Sequence, residues 1–575
     1  MLPPFFNRRI PAALRLRPAS RLRSYTLTSS LRGVPSAPSR PQLPFLSSPQ
    51  GRLPLAIHLR QHFTRLISTE RRNVYKRNIT RGLRIGLTSY AIVCMIYLIQ
   101  TALYHGEIEH MWPTPPEWSW RTRWALRSAQ AALNPRDVGE RMVNWLRVSE
   151  YANEVIKRCE DPNIDGKDVR QKLEGGMFVE GVGELGKDVS VKSEPWRRGY
   201  FEALMAAGRA AEHLEGFMTD WKNKISAPSA YVLGPSNPHP KKLPGNKNIV
   251  MHEEDCTPTS PSPDVFYMKI LTTDGFNARQ KIDAALAYAD WLQYKGLLDT
   301  ARETYDWAMD IATSGLSGDP ANVVDKKTGV LKNNGTDLAS ENVIRVSTAM
   351  GVLNAKMGKL SDALSIFTSV LKARREMSQT PGKDTQPTRK VVERSPFALE
   401  RFINRLVLIF TPVVYPPPPS DGNSPPVRSE GSLCDEAGLM TYIGEILFAS
   451  SSRETGLAWT RDSVDIAESA LVRLGSGRGA APEREKCTDC LKVGLQNWKT
   501  MLQQLIKDAK REEQEASQRA QKSWFGGGRK AVEEKAKIRK RWEAEEMIVQ
   551  ARADDLLPRG DAYSVFAPGT NNTVF

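Results

Sequence analysis

The pattern of apolar and polar positions changes sharply at residues 85–104, whose sequence is IGLTSYAIVCMIYLIQTALY. The stretch has no charged side chain, and at a helical rise of about 1.5 Å per residue it would span the roughly 30 Å apolar layer of a bilayer. The alternative is a buried helix of a soluble protein, which polar residues such as Thr88 and Gln100 would favour. Because a soluble helix normally keeps one hydrated face, we predict a transmembrane helix.

Beyond this stretch, apolar residues recur mostly at helical spacing, which predicts an α-helical body. Two interruptions are rich in Pro, Ser and Asn, residues that favour loops. The first, 226–264, predicts a flexible linker. The second, 376–430, contains TPVVYPPPPSDGNSPPVR and predicts a solvated proline-rich loop, with a polyproline ligand for a partner as the alternative.

Two segments, which begin at Lys281 and Val346, share one order of small, glycine and aromatic residues. In each, a turn glycine follows a small residue by seven positions, and a second small residue, an aromatic and an apolar residue come after it. Small residues let two helices touch, the glycine reverses the chain, and the aromatic residue fills the gap between neighbouring hairpins. The ten scaffold residues are Ala289, Gly296, Ala301, Tyr305, Ala308, Gly351, Gly358, Ala363, Phe367 and Val370.

This order resembles the tetratricopeptide repeat family, whose 34-residue unit is a helix–turn–helix. The resemblance covers roughly residues 281–311 and 343–373. It departs from the family because Ala285 and Ser347 occupy the usual tryptophan position of helix A, and because an insert separates the two turns. The resemblance implies a curved helical surface that binds other polypeptides, and weaker copies are expected in 431–515. An ordinary helical bundle with glycine turns is the alternative.

All of the net positive charge of the chain lies ahead of the apolar stretch. The net charge is +16 and the pI is near 9.5, values that would ordinarily suggest nucleic acid. Residues 1–84, however, hold 17 of the 81 Lys and Arg but only one of the 65 Asp and Glu, Glu70. The remainder is therefore balanced, and we expect no nucleic-acid partner.

The N-terminal arm has the composition of a mitochondrial transit peptide. Residues 1–69 contain no acid and are rich in Arg, Ser, Pro and Leu, and a membrane potential draws such positive charge towards its negative side. The sequence Arg23-Ser24-Tyr25 resembles the arginine-x-tyrosine site of the matrix processing peptidase, which predicts cleavage after Tyr25. The alternative is a basic N-terminal tail that carries no targeting signal.

The flanks of the apolar stretch predict its orientation. Basic residues continue up to Arg84, whereas Glu107 and Glu109 follow the stretch, so the N-terminus is expected in the matrix and the C-terminal domain in the intermembrane space. Four tryptophans just beyond the stretch suit the headgroup layer, with packing against the first soluble helices as the alternative. They are Trp112, Trp118, Trp120 and Trp124.

Motifs that carry catalysis are missing from the sequence. We find no phosphate-binding GxxxxGK[ST], no HExxH and no GxSxG, so we expect no enzyme, catalytic residue, cofactor, metal or small-molecule substrate. Cys487 and Cys490 form a single CxxC, and on a helix both thiols share one face. They could form a local disulfide or act in redox chemistry, and we favour core thiols or a structural bridge. A zinc site would need a second pair.

As a whole, the domain order and the two repeats resemble the fungal tetratricopeptide-repeat adaptor subunits of the mitochondrial inner-membrane i-AAA protease complex. The resemblance implies a non-enzymatic protein that binds AAA protease subunits, unfolded protein substrates and inner-membrane lipid. A respiratory-complex assembly factor of the intermembrane space built from the same repeats is the alternative. Two rivals from other classes are a thiol oxidoreductase using Cys487 and Cys490, and a secretory-pathway anchor glycosylated at Asn334.

The predicted fold class is all-α: a single N-terminal transmembrane helix, then a degenerate tetratricopeptide-like helical repeat domain with disordered inserts. Nine regions follow from these patterns. They are a basic targeting and matrix arm (1–84), the transmembrane helix (85–104), a Trp-rich interfacial segment (105–135), a helical region (136–225), a flexible linker (226–264), tetratricopeptide-like repeats (265–375), a Pro-rich loop region (376–430), further degenerate helical repeats (431–515), and a charged helix with a C-terminal tail (516–575).

Overall fold

The computed structural model of the chain is mostly helical over the residues that it describes. The transit-peptide prediction, the cleavage site at Tyr25, the glycosylation site at Asn334 and the C-terminal tail lie outside them. The described residues are 69–135, 142–171, 177–179, 183–244, 249–332, 339–377, 407, 411–450, 452–475, 481–522 and 528–557.

The chain divides into two units, residues 1–93 and 94–575. The described part of the first unit is helical and belongs to α1 (Thr69–Met111). From residue 70 to residue 100 every side chain is exposed except the half-buried Cys94. In the part of the chain that the structure describes, this is the one helix whose length and composition would allow it to cross a membrane, with a mean hydropathy of 1.7 in its most apolar stretch.

Four helices build the first part of the second unit around small residues. Ala203, Ala207 and Ala210 are fully buried, and a Cβ at Gly199 would meet the ring of Trp118 at 2.8 Å, so neighbouring backbones come close. The helices are α2 (Trp120–Leu133), α3 (Trp145–Glu160), α4 (Glu194–His213) and α5 (Pro263–Thr272).

Two of the four tryptophans predicted at a membrane interface belong to this core instead. Trp118 is buried and meets Trp196 edge to face, with ring centroids 6.3 Å apart, and Trp124 meets Tyr151 in the same way at 5.5 Å. Trp120 remains exposed. The interfacial prediction for Trp118 and Trp124 was therefore wrong, because apolar partners on α3 and α4 cover these rings.

Residues 226–264 are folded where the structure describes them, so the prediction of a flexible linker was wrong. The strands in and next to this segment are β5 (Phe217–Asp220), β6 (Ile225–Pro228), β7 (Val232–Leu233), β8 (Met251–His252) and β9 (Cys256–Pro258). Three of them form an antiparallel sheet in the order β6-β5-β9, and β7 pairs in parallel with β8. Ala227, Val232 and Met251 form a small core beneath them.

The glycine-rich stretch inside the predicted helical region 136–225 also contains strands. They form two short antiparallel pairs, β1 with β4 and β2 with β3. Strands of two or three residues carry too few alternations to reveal a period of two in the sequence. The strands are β1 (Arg170–Gln171), β2 (Met177–Val179), β3 (Gly183–Leu185) and β4 (Lys187–Asp188).

The remaining helices pair along the chain. They are α6 (Ala278–Tyr294), α7 (Leu298–Ser314), α8 (Pro320–Val323), α9 (Glu341–Lys356), α10 (Leu360–Arg375), α11 (Ser432–Ser450), α12 (Arg453–Leu474), α13 (Ala481–Lys522) and α14 (Gly528–Leu556). Neighbouring helices α6 and α7, α9 and α10, α11 and α12, and α13 and α14 pack against each other. One hydrophobic core extends from α2 to α11, and a second lies among α11 to α14.

Candidate functional site

The two predicted turn glycines have the same backbone geometry. Gly296 and Gly358 adopt φ values of 80° and 77°, the left-handed region that a residue with a Cβ avoids. At the first turn the N–H of Gly296 donates to the carbonyl of Gln293, and the N–H of Leu297 donates to that of Leu292. The second turn has the same pair of hydrogen bonds 62 residues later. The bond from the Gly358 N–H is 3.0 Å long, and the bond from the N–H of the following residue is 2.9 Å long. Both helix ends are therefore Schellman motifs, which reverse the chain within a few residues.

The small scaffold residues lie between the helices of each hairpin. Ala289, Ala301 and Ala308 are fully buried. In the second hairpin Ala363 and Val370 are fully buried, and Gly351 is buried as well.

Gly351 shows why a small residue is required in the second hairpin. A Cβ placed there would lie 2.7 Å from the ring of Phe367. That ring is fully buried and stacks on Tyr442 of α11, with centroids 5.2 Å apart. Phe367 thus fills the space between one hairpin and the next.

A polar cluster accompanies the aromatic residue of the first hairpin. The Tyr305 hydroxyl donates to Asp290 Oδ1 at 2.9 Å, and the Gln293 amide donates to the Tyr305 hydroxyl oxygen. Burial raises the pKa of Asp290 and of Tyr305 above their ordinary values. The sequence pattern assigns Tyr305 only an apolar role, so this hydrogen-bonded cluster could not be found from spacing alone.

The first helices of the two hairpins are linked by ion pairs. Arg279 of α6 lies 2.9 Å from Glu341 of α9, and Arg345 of α9 lies 2.5 Å from Asp283 of α6. All four side chains are half-buried. These charges fix the two hairpins side by side more specifically than apolar contact alone.

The end of α1 is attached to α2 by a buried carboxylate. Glu109 accepts hydrogen bonds from the Thr114 N–H and from Arg123, each at 2.9 Å, and it also pairs with Arg127. Glu109 and Arg127 are both buried. The acid that the sequence places after the apolar stretch therefore joins the last turn of α1, which belongs to the second unit, to α2.

Part of the predicted solvated loop lies against the body. We name residues 411–428 the strap; they form no helix or strand. Arg198 of α4 donates to the carbonyls of Pro416 and Pro417, at 2.8 and 3.2 Å. The Tyr415 ring lies over the Arg198 guanidinium, with its centroid 4.5 Å from the central carbon. The sequence predicts a solvated loop, whereas these contacts pack part of the strap against α4.

The strap is held a second time at the beginning of α9. The N–H groups of Glu341 and Asn342 donate to the carbonyls of Ser424 and Gly422, both at 3.1 Å. The Asn342 side chain is buried and donates to the Asp421 carbonyl at 2.8 Å. The strap thereby satisfies N–H groups that the first turn of a helix leaves without partners.

The cysteines pair differently from the expectation. The disulfide joins Cys434 of α11 to Cys487 of α13, with Cα atoms 5.2 Å apart, so the predicted local bridge between Cys487 and Cys490 is wrong. Cys490 is a free thiol that donates to the Cys434 carbonyl at 3.4 Å. Burial raises the pKa of Cys490 to about 11, so it is protonated at neutral pH and is a poor nucleophile.

The geometry defines a class: a protein of stacked helical hairpins that follow an exposed apolar helix. Among the described residues, no group of three or more His, Cys, Asp or Glu side chains could hold a metal ion. Comparison with protein-family models, with curated proteins and with solved structures found no match.

Proposed function

We propose that the chain is a non-enzymatic, membrane-anchored adaptor of the mitochondrial inner membrane. In this proposal α1 crosses the membrane with its N-terminus in the matrix, and the second unit is a degenerate tetratricopeptide-like repeat domain in the intermembrane space. The domain binds unfolded proteins and assists their delivery to the i-AAA protease. The observation that carries the proposal is the repeated hairpin with its matching Schellman turns and its buried small residues.

The polar residues of α1 support a membrane span. The hydroxyls of Thr88, Ser89 and Thr101 donate to backbone carbonyls three or four residues earlier, at 2.9 to 3.0 Å. Such internal bonds are needed in lipid, where no water can satisfy a hydroxyl group. The exposed apolar side chains around them would otherwise face water.

The disulfide supports the proposed side of the membrane. Structural disulfides are common in oxidising compartments and rare where thiol reductants keep cysteines reduced. The Cys434–Cys487 bridge thus fits a domain outside the matrix. It also weakens the rival assignment as a thiol oxidoreductase, because one of the two CxxC sulfurs is already bonded to a third cysteine.

Protease access tests the topology. A C-terminal tag on the full chain should be digested in mitoplasts, in which the outer membrane is opened, and protected in intact mitochondria. Protection in both preparations would place the domain in the matrix and contradict the proposal.

Co-purification tests the function. The full chain, captured from mitochondria solubilised in mild detergent, should bring AAA protease subunits that a tagged control of residues 1–111 does not bring. The control retains the arm and α1, so it reveals partners recruited by the anchor alone. Recovery of respiratory-complex subunits without the protease would instead support an assembly factor.

A further inference from the structure

The strap contacts the body almost as a separate peptide ligand would. Across the described residues, each hydrogen bond between the strap's main chain and the helices uses a strap carbonyl as the acceptor. The Tyr415 side chain adds one bond in the other direction, from its hydroxyl to the Pro195 carbonyl at 3.4 Å. The donors to the strap carbonyls are Arg198, the Asn342 side chain and the first N–H groups of α9. Recognition of this kind requires no N–H from the ligand, and proline has none to offer. The surface therefore suits a proline-containing chain, because it recognises only carbonyl groups of the ligand's backbone.

Most of the strap's own side chains take no part in these contacts. Val414 is 82% exposed, and the residues 417–420 are exposed as well. Four strap residues are exceptions. The Tyr415 ring covers Arg198, and Asn423 Oδ1 accepts a hydrogen bond from the Asn342 side chain at 3.1 Å. Arg428 lies 3.0 Å from the buried Glu436 of α11, and Gly422 is buried at a φ of 72°. A Cβ at Gly422 would overlap the Asn342 side chain, so only glycine permits this close approach. The surface thus selects a main chain that offers carbonyl groups, with an aromatic residue and a glycine at a fixed spacing.

We infer that the strap is a displaceable internal ligand, and that the surface formed by Arg198, Asn342 and the beginning of α9 binds proline-rich segments of other polypeptides. The inference rests on the proposed function for the identity of its natural ligand, an unfolded substrate protein. The tethered strap occupies the surface in the resting protein, and a substrate segment must compete with it. Because a tether gives the strap an effective concentration in the millimolar range, binding of a free segment is weakened until the strap is released.

The strap can be loosened by changing only strap residues. The double variant Tyr415→Ala/Gly422→Ala removes the ring over Arg198 and places a methyl group against Asn342. Val414→Ala is the matched control, because it shortens a neighbouring strap side chain that is exposed. The probe is a fluorescein-labelled peptide of residues 411–428, and a second probe carries Ala in place of Gly422. Binding is measured by fluorescence anisotropy on the full chain in detergent.

We expect the loosened variant to bind the first probe at least tenfold more tightly than the wild-type chain and Val414→Ala. The second probe should bind weakly to all of them, and Arg198→Ala added to the loosened variant should abolish the gain. Hydrogen exchange at the Glu341 and Asn342 amides should be faster in the loosened variant. The exchange rates of the α13 and α14 amides should not change, which would show that the body of the variant still folds. If the double variant does not fold, Tyr415→Ala alone should give a smaller gain of the same sign.

Equal affinity of the loosened and wild-type chains for the first probe would overturn the inference, as would a gain that survives Arg198→Ala. These outcomes leave the proposed function intact if the full chain still captures AAA protease subunits. Conversely, if the loosened variant binds the first probe but the full chain captures no AAA protease subunits, the adaptor proposal is contradicted and the inference about the strap surface is retained.

Discussion

Individual residues determine where the hairpins turn and how closely their helices approach. Gly296 and Gly351 illustrate two separate reasons for glycine. Gly296 has a positive φ and open space around it, whereas Gly351 is helical and faces the ring of Phe367. At Gly296 the positive φ limits which residues the backbone can accept, whereas at Gly351 the space beside Phe367 limits the size of the side chain. The two positions should therefore respond differently to substitution.

At Gly296, we expect Ala to lower the local stability of the α6–α7 hairpin by about 1 kcal/mol, because a Cβ disfavours the left-handed region. Asn, which tolerates that region, should cost less. At Gly351, we expect Ala to cost about 1–3 kcal/mol through overpacking against Phe367. Native-state hydrogen exchange of the helix amides measures each opening free energy. Equal losses for Gly296→Ala and Gly296→Asn would contradict the assigned backbone cause.

Two half-buried carboxyl groups make stability depend on pH. Burial raises the pKa of Glu202 and of Glu445 to about 7, from an unfolded value near 4.5. The folded chain therefore holds these protons more tightly than the unfolded chain between those pH values. Their contribution to stability is fully present below pH 4.5 and is lost as the pH rises to 7.

We therefore expect Glu445→Gln to raise the melting temperature at pH 8 by roughly 1–3 °C relative to the wild-type chain. At pH 5 the gain should be much smaller, because the wild-type carboxyl group is then protonated in the folded state. Glu454→Gln, a change at an exposed position of α12, is the control. A gain that is the same at both pH values would show that the carboxyl group does not titrate as proposed.

At the scale of elements, the disulfide joins two helices that are not consecutive. Cys434 and Cys487 are separated by 53 residues, and both are fully buried. Closing a loop of this length restricts the unfolded chain, which a bridge between Cys487 and Cys490 would hardly do.

Replacing both bridge cysteines, Cys434→Ser with Cys487→Ser, should lower the stability of the α11–α13 region by about 2–4 kcal/mol. Thermal melts with and without dithiothreitol provide the measurement: the reductant should destabilise the wild-type chain and leave the double variant unchanged. Cys490→Ser should remain sensitive to the reductant. Peptide mapping that finds Cys487 bonded to Cys490 would contradict the assigned pairing.

For the whole molecule, the distribution of charge and exposed apolar surface is the dominant feature. All of the net positive charge precedes residue 85, and the exposed apolar side chains of α1 are concentrated just after it. A soluble protein rarely exposes an apolar surface of this length, so a bilayer is the environment we propose for α1.

The full chain should accordingly remain in the membrane pellet after alkaline carbonate extraction. Val93→Lys combined with Ile96→Lys should release it, since a Lys near the centre of a span costs about 2.5–3.5 kcal/mol. Val74→Lys, an exposed position outside the uncharged run, should not release it. Extraction of the unaltered chain into the supernatant would refute the span.

The helical character of most of the body and the turns at Gly296 and Gly358 could be predicted from sequence, because helix periodicity and the backbone freedom of glycine act locally. The bounds of the individual helices could not. The spacing predicts an aromatic residue between hairpins, and in the structure the Phe367 ring stacks on Tyr442 of α11. The short strands of 226–264 could not be predicted, because their stability comes from pairing across the fold and from a core of three side chains.

The sequence by itself determined where the charge lies, which stretch is apolar, and where the chain turns between α6 and α7 and between α9 and α10. Only the tertiary structure decided that Cys487 meets Cys434, that Trp118 is covered by α4, and that the strap lies on Arg198 and Asn342. Each of these depends on which surfaces meet across long separations in the chain, a choice made by packing of the whole body and not by any local pattern.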